Sequence, residues 1–171
     1  MRLSKYLVEQ LRHRLAADAA IAVRAGDAAR DAAQHSVSAM EKRQDARTQI
    51  EHGNMAYAQA RRAQQALAFV QALDSFSAKG IKSYVNQSPI GLGAVIDALS
   101  EDEEGEFSRT FVMLPVGAGE ELTGPDGDGI ITVLTPNSPV GKAMFGKKTG
   151  DIAEVTINRE PYEWEILEVS C

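Results

Sequence analysis

The chain has very little cysteine, and what it has lies at one position. Cys171 is the only cysteine among 171 residues, so neither an intrachain disulfide nor a cysteine-based metal site can form. No apolar run approaches the roughly 20 residues that a membrane span requires, and the first six residues lead into an amphipathic pattern rather than a signal-peptide core. We therefore expect a cytoplasmic protein that makes no contact with a membrane.

The sequence also lacks the residue patterns of a self-contained enzyme. The glycine-rich segments 91–93 and 124–129 do not lie between a strand and a helix with phosphate-loop spacing, and the second lacks the further acidic ligands of a calcium loop. His13, His35 and His52 share no ligand spacing with a carboxylate pair, and no Ser-His-Asp or Cys-His arrangement is apparent. We expect an accessory protein, not an enzyme, with no cofactor of its own.

Charge is distributed unevenly along the chain, whose net charge is −6. Residues 1–80 hold 12 Lys and Arg against 8 Asp and Glu, a net +4, whereas residues 81–171 hold 6 against 16, a net −10. The basic front half could face nucleic acid or an acidic protein channel, and the acidic back half suits a basic protein surface. Two solvated surfaces without any partner are the alternative.

Proline is absent from residues 3–34 and 46–76, and both stretches have helical periodicity with frequent alanine. Leucine dominates the apolar stripe at the start of the first stretch, and Phe and Leu dominate the end of the second. An antiparallel coiled-coil hairpin would bring these two ends together and leave the alanine-rich parts to pair far from them. We therefore predict a helical hairpin over residues 1–76.

The hairpin tip is predicted near residues 35–45, which are poor in alanine and rich in serine and charge. The competing turn is Gly53-Asn54, because a glycine inside a helix costs about 1 kcal/mol relative to alanine. The symmetry of the two apolar ends favours the first position.

Two carboxylates lie in this tip segment, Glu41 and Asp45. Their spacing of four residues would place them on one side of a helical turn, where they could share Mg²⁺ if a partner supplied the remaining ligands. Lys42 and Arg43 stand between them, so a solvated charged tip is the alternative.

Composition changes at residues 77–80, and the pattern becomes that of a β-rich domain. We predict a linker and first strand over residues 77–86, followed by a small domain over 87–171. The strand candidates are 81–85, 94–99, 108–115, 129–135, 152–157 and 164–169. Residues 97–106 and 117–129 are predicted to be turns or loops. One short helix would complete an α+β domain.

That helix lies in residues 130–151, a stretch in which residues typical of turns and helix caps mark the ends of each predicted element. A β-branched run predicts a strand that ends at Thr135-Pro136-Asn137, Ser138 is suited to a helix N-cap, and Pro139 to the first helical position. Gly146 is placed to end the helix after two turns.

The same stretch resembles the C-terminal domain of the GreA/GreB transcript-cleavage factors. The matching pattern is S-P-x-G-x-A-x-x-G-K-x-x-G-D over residues 138–151, followed by a terminal strand at Tyr162 to Val169. A leading helical hairpin of this length also fits that family. The resemblance implies an FKBP-like antiparallel β-sheet domain with a short helix, preceded by a coiled-coil hairpin.

The resemblance also implies a function. The C-terminal domain would dock at the rim of the RNA polymerase secondary channel through Asn137, Ser138 and Pro139, and the hairpin would enter the channel. Tip carboxylates, here Glu41 and Asp45, would complete the Mg²⁺ site of the polymerase and promote cleavage of backtracked RNA. The partner is then RNA polymerase, the 3′ end of the nascent RNA is approached only indirectly, and the free protein is a monomer.

The tip departs from the family pattern G-D-L-x-E-N-A-E-Y. Its acids are four residues apart instead of three, and two cations stand between them. A channel occupant that inhibits or modulates polymerase without cleavage is therefore an alternative. Two further alternatives are an FKBP-like chaperone or peptidyl-prolyl isomerase, and a structural coiled coil that dimerises through its alanine stripe.

Overall fold

Two long helices precede a six-stranded sheet in this protein, whose structure is a computed structural model. It describes residues 2–35, 42–127, 129–157 and 159–171. The elements in chain order are α1 (Leu3–His35), α2 (Lys42–Ala78), β1 (Val95–Asp102), β2 (Gly105–Met113), β3 (Glu121–Thr123), β4 (Ile130–Leu134), α3 (Pro139–Met144), β5 (Ile152–Ile157) and β6 (Glu160–Ser170). The helices of the described residues are all too short or too polar to cross a membrane.

The chain forms two compact units. One consists of residues 1–11 and 72–171, and the other of residues 12–71. Both α1 and α2 therefore contribute residues to each unit, whereas the sequence assigns residues 1–76 to a single hairpin domain.

The unit of residues 12–71 is an antiparallel pair of helices that approach closely through small side chains. A Cβ placed on Gly26 of α1 would lie 3.6 Å from Cβ of Gln59 and 3.8 Å from the carbonyl oxygen of Ala56, both in α2. Alanines fill the buried positions beside this contact: Ala19, Ala22, Ala29, Ala56 and Ala63. Small residues bury little area, so this unit gains only modest hydrophobic stabilisation per turn.

The buried side of α2 is narrow. Ala56 and Ala63 are buried, whereas Ala58, Arg61 and Gln65 are exposed. Alanine occurs on every side of this helix, so its periodicity does not fix which side faces the partner. Gly53 and Asn54, the competing turn, lie inside α2.

The sheet has the strand order β3-β4-β2-β1-β6-β5. All neighbouring pairs are antiparallel except β2 and β4, which are parallel with Thr110 opposite Ile131. The α+β class with a preceding helical hairpin is therefore confirmed, with a mixed sheet in place of a purely antiparallel one. The parallel pair arises because the chain leaves β2, forms β3 at the edge and returns to place β4 beside β2.

One face of the sheet carries the main hydrophobic core of the domain. Phe107 and Phe111 pack edge-on against the indole of Trp164, with ring centroids 5.5 and 5.1 Å from it. Met144 of α3 is fully buried in the same cluster, with Ile96 and other strand residues. The short helix is thus anchored by its apolar side to the sheet.

The first turns of α1 belong to the same unit as the sheet. Leu7 and Leu11 are fully buried, and a Cβ on Gly117 would lie 2.8 Å from a methyl group of Leu11. Gln10 pairs with the backbone of Thr123 in β3: its Oε1 accepts from the Thr123 amide at 2.9 Å, and its Nε2 donates to the Thr123 carbonyl at 3.2 Å. An amide side chain therefore extends the hydrogen bonding of the edge strand β3.

The prediction of a first strand at residues 81–85 is wrong. This segment belongs to none of the strands in the described sheet. Tyr84 is buried instead, and its hydroxyl group donates to the Leu92 carbonyl at 2.9 Å, whereas Val85 is 69% exposed. A β-branched, aromatic segment can serve packing as well as pairing, and its sequence does not distinguish the two.

Two predicted loops contain strand residues. β1 continues to Asp102 and β2 begins at Gly105. The acidic segment 97–106 therefore contains most of β1, the hairpin turn and the start of β2. Residues 117–129 contain β3, whose Leu122 is buried. The sequence did not predict these strand residues, because polar or glycine-rich composition is typical of loops. Backbone hydrogen bonds between strands can form whatever the exposed side chains are.

Candidate docking site

The three residues expected to contact a partner, Asn137, Ser138 and Pro139, lie in the turn between β4 and α3. Asn137 and Pro139 are exposed, and Ser138 is half-buried. The structure therefore brings the three residues together, but it gives them different environments.

Ser138 is occupied by hydrogen bonds within its own turn. Its Oγ donates to the Thr135 carbonyl at 2.8 Å and accepts from the amides of Thr135 and Gly141, each at 3.2 Å. With φ of −70° and ψ of 152°, it is a true N-cap of α3. The hydroxyl group thus fixes the shape of the turn in which Asn137 and Pro139 are exposed.

Gly141 is required by the same turn. A Cβ at this position would collide with the carbonyl oxygen of Thr135 and lie 2.6 Å from Oγ of Ser138. Only glycine allows the first turn of α3 to approach the end of β4 this closely. The Ser-Pro-x-Gly pattern is therefore explained by folding, before any partner is considered.

The helix α3 has an inward and an outward side. Val140, Ala143 and Met144 pack on the core of the sheet, whereas Pro139 and Lys142 are exposed. Phe145, at the C-cap, is 49% exposed. An exposed phenylalanine beside proline and lysine is the kind of mixed surface that protein interfaces use.

The end of α3 is held in place by residue 90. The Gly146 amide donates to the Ile90 carbonyl at 2.8 Å, and the Ile90 amide donates to the Lys147 carbonyl at 2.8 Å. Gly146 has φ of 82°, a left-handed conformation that suits glycine at a helix end. These bonds orient the outward side of α3 relative to the sheet.

Positive charge is concentrated around this helix. Residues 81–171 contain six Lys and Arg residues, and three of them lie within the seven residues 142–148. The six are Lys82, Arg109, Lys142, Lys147, Lys148 and Arg159. We define the α3 surface as the exposed residues Asn137, Pro139, Lys142, Phe145 and Lys148. Because the remainder of residues 81–171 is strongly acidic, the α3 surface is a local basic site that suits a partner surface with acidic groups.

The structure does not describe the side chains of the two tip carboxylates, Glu41 and Asp45. Glu41 lies outside the described residues, and of Asp45 only the backbone is described, within the first turn of α2. Their joint role as Mg²⁺ ligands thus stays a prediction. Elsewhere, in the described parts of the chain, no three His, Cys, Asp or Glu side chains are grouped as metal ligands would be.

The family model described as "Transcription elongation factor, GreA/GreB, C-term" matches residues 85–171, which is 87 of the 171 residues and includes the whole α3 surface. This chain belongs to the GreA/GreB family. The match runs from the segment before β1 to the end of β6, so the family assignment rests on the sheet domain.

Curated relatives agree with this assignment. The chain is 33% identical over 78 residues to "Transcription elongation factor GreA" of Streptococcus pneumoniae serotype 4, a match that covers 43% of this chain and 48% of the relative. It is 31% identical over 81 residues to the GreA of Clostridium botulinum strain Langeland, covering 47% and 44%. The chain therefore matches about half the length of these relatives.

Two solved Gfh1 structures align with this chain over nearly its whole length, at low identity and low TM-score. "GreA factor homolog 1 (Gfh1) protein of Thermus thermophilus" is 16% identical with a TM-score of 0.35, covering 96% of this chain and 94% of that one. Gfh1 of Thermus aquaticus is 16% identical with a TM-score of 0.35, covering 100% and 98%.

The sequence did not single out Lys142, Phe145 and Lys148 as functional residues. A signal was available, since this lysine cluster interrupts a strongly acidic region. The exposure of Phe145 could not be read from sequence, because the alternative, a phenylalanine packed in the core, has the same local pattern.

Proposed function

We propose that this GreA/GreB family member binds RNA polymerase at the rim of its secondary channel through the α3 surface, and that its helical hairpin enters the channel to modulate elongation. The observation that carries the proposal is the family match over residues 85–171, within which α3 is built to present an exposed, basic and partly apolar surface. The factor acts on the active site of the polymerase and is not itself an enzyme.

The geometry refines how docking would work. Because the Ser138 hydroxyl group makes three hydrogen bonds inside its turn, Ser138 acts by holding Asn137 and Pro139 in position. Direct contact then falls to Asn137 and Pro139, joined by Lys142 and Phe145. Phe145 is 49% exposed in the free protein, and burial of that exposed area in an interface would stabilise the complex.

A binding measurement with matched variants tests this docking mode. Labelled wild-type protein is titrated with core RNA polymerase, alongside Lys142→Glu and Phe145→Ala. We expect each variant to bind at least about tenfold more weakly, which corresponds to about 1.4 kcal/mol. The controls are Lys79→Glu, which makes the same change of charge, and Ile130→Ala, which truncates another exposed apolar side chain, both at exposed positions outside the α3 surface.

Two results would contradict the proposal. One is absence of wild-type binding at polymerase concentrations of about 10 µM, at which a complex with a Kd of about 1 µM would be about nine-tenths formed. The other is an equal loss of affinity in the α3 variants and their controls.

Cleavage of backtracked RNA is the finer part of the proposal. The carboxylates of Glu41 and Asp45 would share Mg²⁺ with the polymerase, which holds the remaining ligands and catalyses the reaction. A stalled, backtracked complex is incubated with wild type, with Glu41→Ala/Asp45→Ala, and with the control Glu51→Ala. Loss of cleavage in the double variant alone, at unchanged polymerase affinity, supports the role of the tip acids.

The alternative is a channel occupant without cleavage activity, which the two cations between the tip acids favour. It predicts that wild type and double variant bind equally, fail to stimulate cleavage, and slow nucleotide addition to the same extent. The same assay therefore separates the two modes.

Two other functions are disfavoured by packing. A prolyl isomerase needs an aromatic-lined pocket, but Phe107 and Phe111 are packed against Trp164, which is 6% exposed. A dimer through the alanine stripe would compete with the contact of Gly26 with Ala56 and Gln59 inside the chain. We expect no isomerase activity and a monomer by analytical sedimentation.

A further inference from the structure

A turn at residues 85–89, which we call the adjoining turn, runs beside the segment that follows α3. The amide and carbonyl groups of Ile90 form hydrogen bonds of 2.8 Å with the backbone of residues 146–147. At the other end of the turn, Oγ1 of Thr149 lies 2.5 Å from the carbonyl oxygen and 2.9 Å from Oδ1 of Asn86, and it can donate its hydrogen to either. The two segments are therefore held side by side at both ends.

The adjoining turn also has a defined shape of its own. The Ser88 amide donates to the Val85 carbonyl at 2.7 Å, and the Val85 amide donates to Oγ of Ser88 at 3.1 Å. A surface whose shape is fixed before binding loses less conformational entropy on binding than a mobile one. The adjoining turn is therefore suited to contact a partner in the conformation that it already has.

The apolar side chains of the adjoining turn are exposed. Val85 is the most exposed large hydrophobic residue in the described part of the unit that contains the sheet, ahead of Ile130 and Phe145. Pro89 is exposed as well. Together with Phe145 and Lys148, which lie on the neighbouring segment, they form a mixed apolar and basic surface of the kind that protein interfaces use.

Charge distinguishes these two segments from the rest of the sheet domain. Residues 75–96 and 129–150 contain no Asp or Glu, and all 16 acidic residues of the range 81–171 lie in 97–128 and 151–168. Four of the six Lys and Arg residues of the same range lie in the two stretches that lack acids. The hydrogen bonds described above join these two stretches. A joint surface without carboxylates suits a partner surface that carries them.

We propose that the docking surface continues from the α3 surface onto the adjoining turn. One surface of RNA polymerase, carrying acidic and apolar groups, would then cover Phe145 and Lys148 together with Val85. Thr149 is a positioning residue, because its hydroxyl group holds the adjoining turn beside the segment that follows α3. This inference rests on the proposed function, since it takes RNA polymerase as the partner.

The test compares matched variants in a titration with core RNA polymerase. Val85→Glu adds a carboxylate to the adjoining turn, and the control Ile130→Glu adds one at another exposed apolar position of the same unit. We expect Val85→Glu to bind at least about tenfold more weakly than wild type, because its charge would be desolvated beside acidic groups, and Ile130→Glu to bind within about twofold of wild type. Thermal unfolding verifies that both variants are folded. Equal weakening in the two variants would mean repulsion by net charge alone and would overturn the proposal.

A second set of variants tests the positioning role of Thr149. Thr149→Val keeps the shape of the side chain but removes its hydroxyl group, and we expect about threefold weaker polymerase binding at an unchanged unfolding temperature. Thr149→Ser should restore the affinity, and Thr156→Val, at an exposed position of β5, should leave it unchanged. Equal affinities of the two valine variants would overturn the positioning role, since a residue that only stabilises the fold does not change the affinity of the folded protein.

Hydrogen exchange locates the contact without any substitution. Amides of residues 85–88 should exchange more slowly when polymerase is bound, because the interface excludes water from them. Amides of residues 102–105, in the turn between β1 and β2, should exchange at an unchanged rate. Unchanged exchange at residues 85–88 in a saturated complex would contradict the proposal.

Failure of this inference and failure of the proposed docking give different results. If Lys142→Glu and Phe145→Ala weaken binding while Val85→Glu binds like Ile130→Glu, docking through the α3 surface stands and its extension onto the adjoining turn is overturned. Absence of wild-type binding overturns both, and the wild-type titration alone reveals it.

Discussion

Oγ of Ser138 donates a 2.8 Å hydrogen bond to the carbonyl oxygen of Thr135, three residues earlier in the chain. The same oxygen accepts from the amides of Thr135 and Gly141. One hydroxyl group therefore closes the strand end and caps the helix.

Replacement of Ser138 by alanine should destabilise the protein without changing its fold. The variant loses the N-cap of α3 and leaves the Gly141 amide without its acceptor, which costs about 0.5–2 kcal/mol. Ser138→Thr keeps a hydroxyl group and should recover most of the loss. Urea unfolding measures both, and a Ser138→Ala variant as stable as wild type would show that the cap is dispensable.

Replacement of Gly141 by alanine should destabilise the folded protein through a steric clash, because the new Cβ would collide with the Thr135 carbonyl oxygen. We expect a loss of about 1–3 kcal/mol, the usual range for a forced steric contact. Gly53→Ala is the matched control: it lies inside α2, and its Cβ would meet nothing within 4 Å. That change should stabilise by up to about 1 kcal/mol, since alanine is the better helix former. Chemical denaturation should give the two changes opposite signs.

Replacement of Gln10 by alanine should loosen the edge strand β3. Two hydrogen bonds to the Thr123 backbone would be lost, at a net cost of about 0.5–1.5 kcal/mol for each. Hydrogen exchange at the Thr123 amide should become faster, because its acceptor is Oε1 of Gln10. Gln65→Ala, at an exposed position of α2, should leave that exchange rate unchanged.

Stability should fall at alkaline pH, in part through Tyr84. Burial, and secondarily the negative charge of Cys171, raises the pKa of Tyr84 above its ordinary value. A raised pKa in the folded state means that the contribution is complete below the ordinary tyrosine pKa and is lost as pH rises through the folded-state pKa. Tyr84→Phe should therefore show a smaller loss of stability between about pH 8 and about pH 11 than wild type.

Guanidinium unfolding at both pH values provides the measurement. At pH 8 the variant should be less stable by about 1 kcal/mol, since the hydrogen bond to the Leu92 carbonyl is gone. A pH dependence identical to that of wild type would show that Tyr84 does not titrate differently in the two states.

The sequence determines most of the local structure of this protein. Two long proline-free stretches predict the helices α1 and α2, and the turn from Thr135 to Gly146 predicts α3 with its N-cap at Ser138. These features depend on residues within about four positions of one another, which is why pattern alone suffices. The family resemblance was carried by residues 138–151 together with the terminal strand at Tyr162 to Val169.

Only the tertiary structure decided how distant segments meet. It left residues 81–85 outside the strands of the described sheet, made β3 from a segment rich in glycine, and set β2 beside β4 in parallel. It also exposed Phe145 and ended the pairing of β1 with β6 at Leu99 and Glu165. Strand pairing and burial depend on contacts between residues far apart in the chain, and the same β-branched or acidic run satisfies several such arrangements equally well.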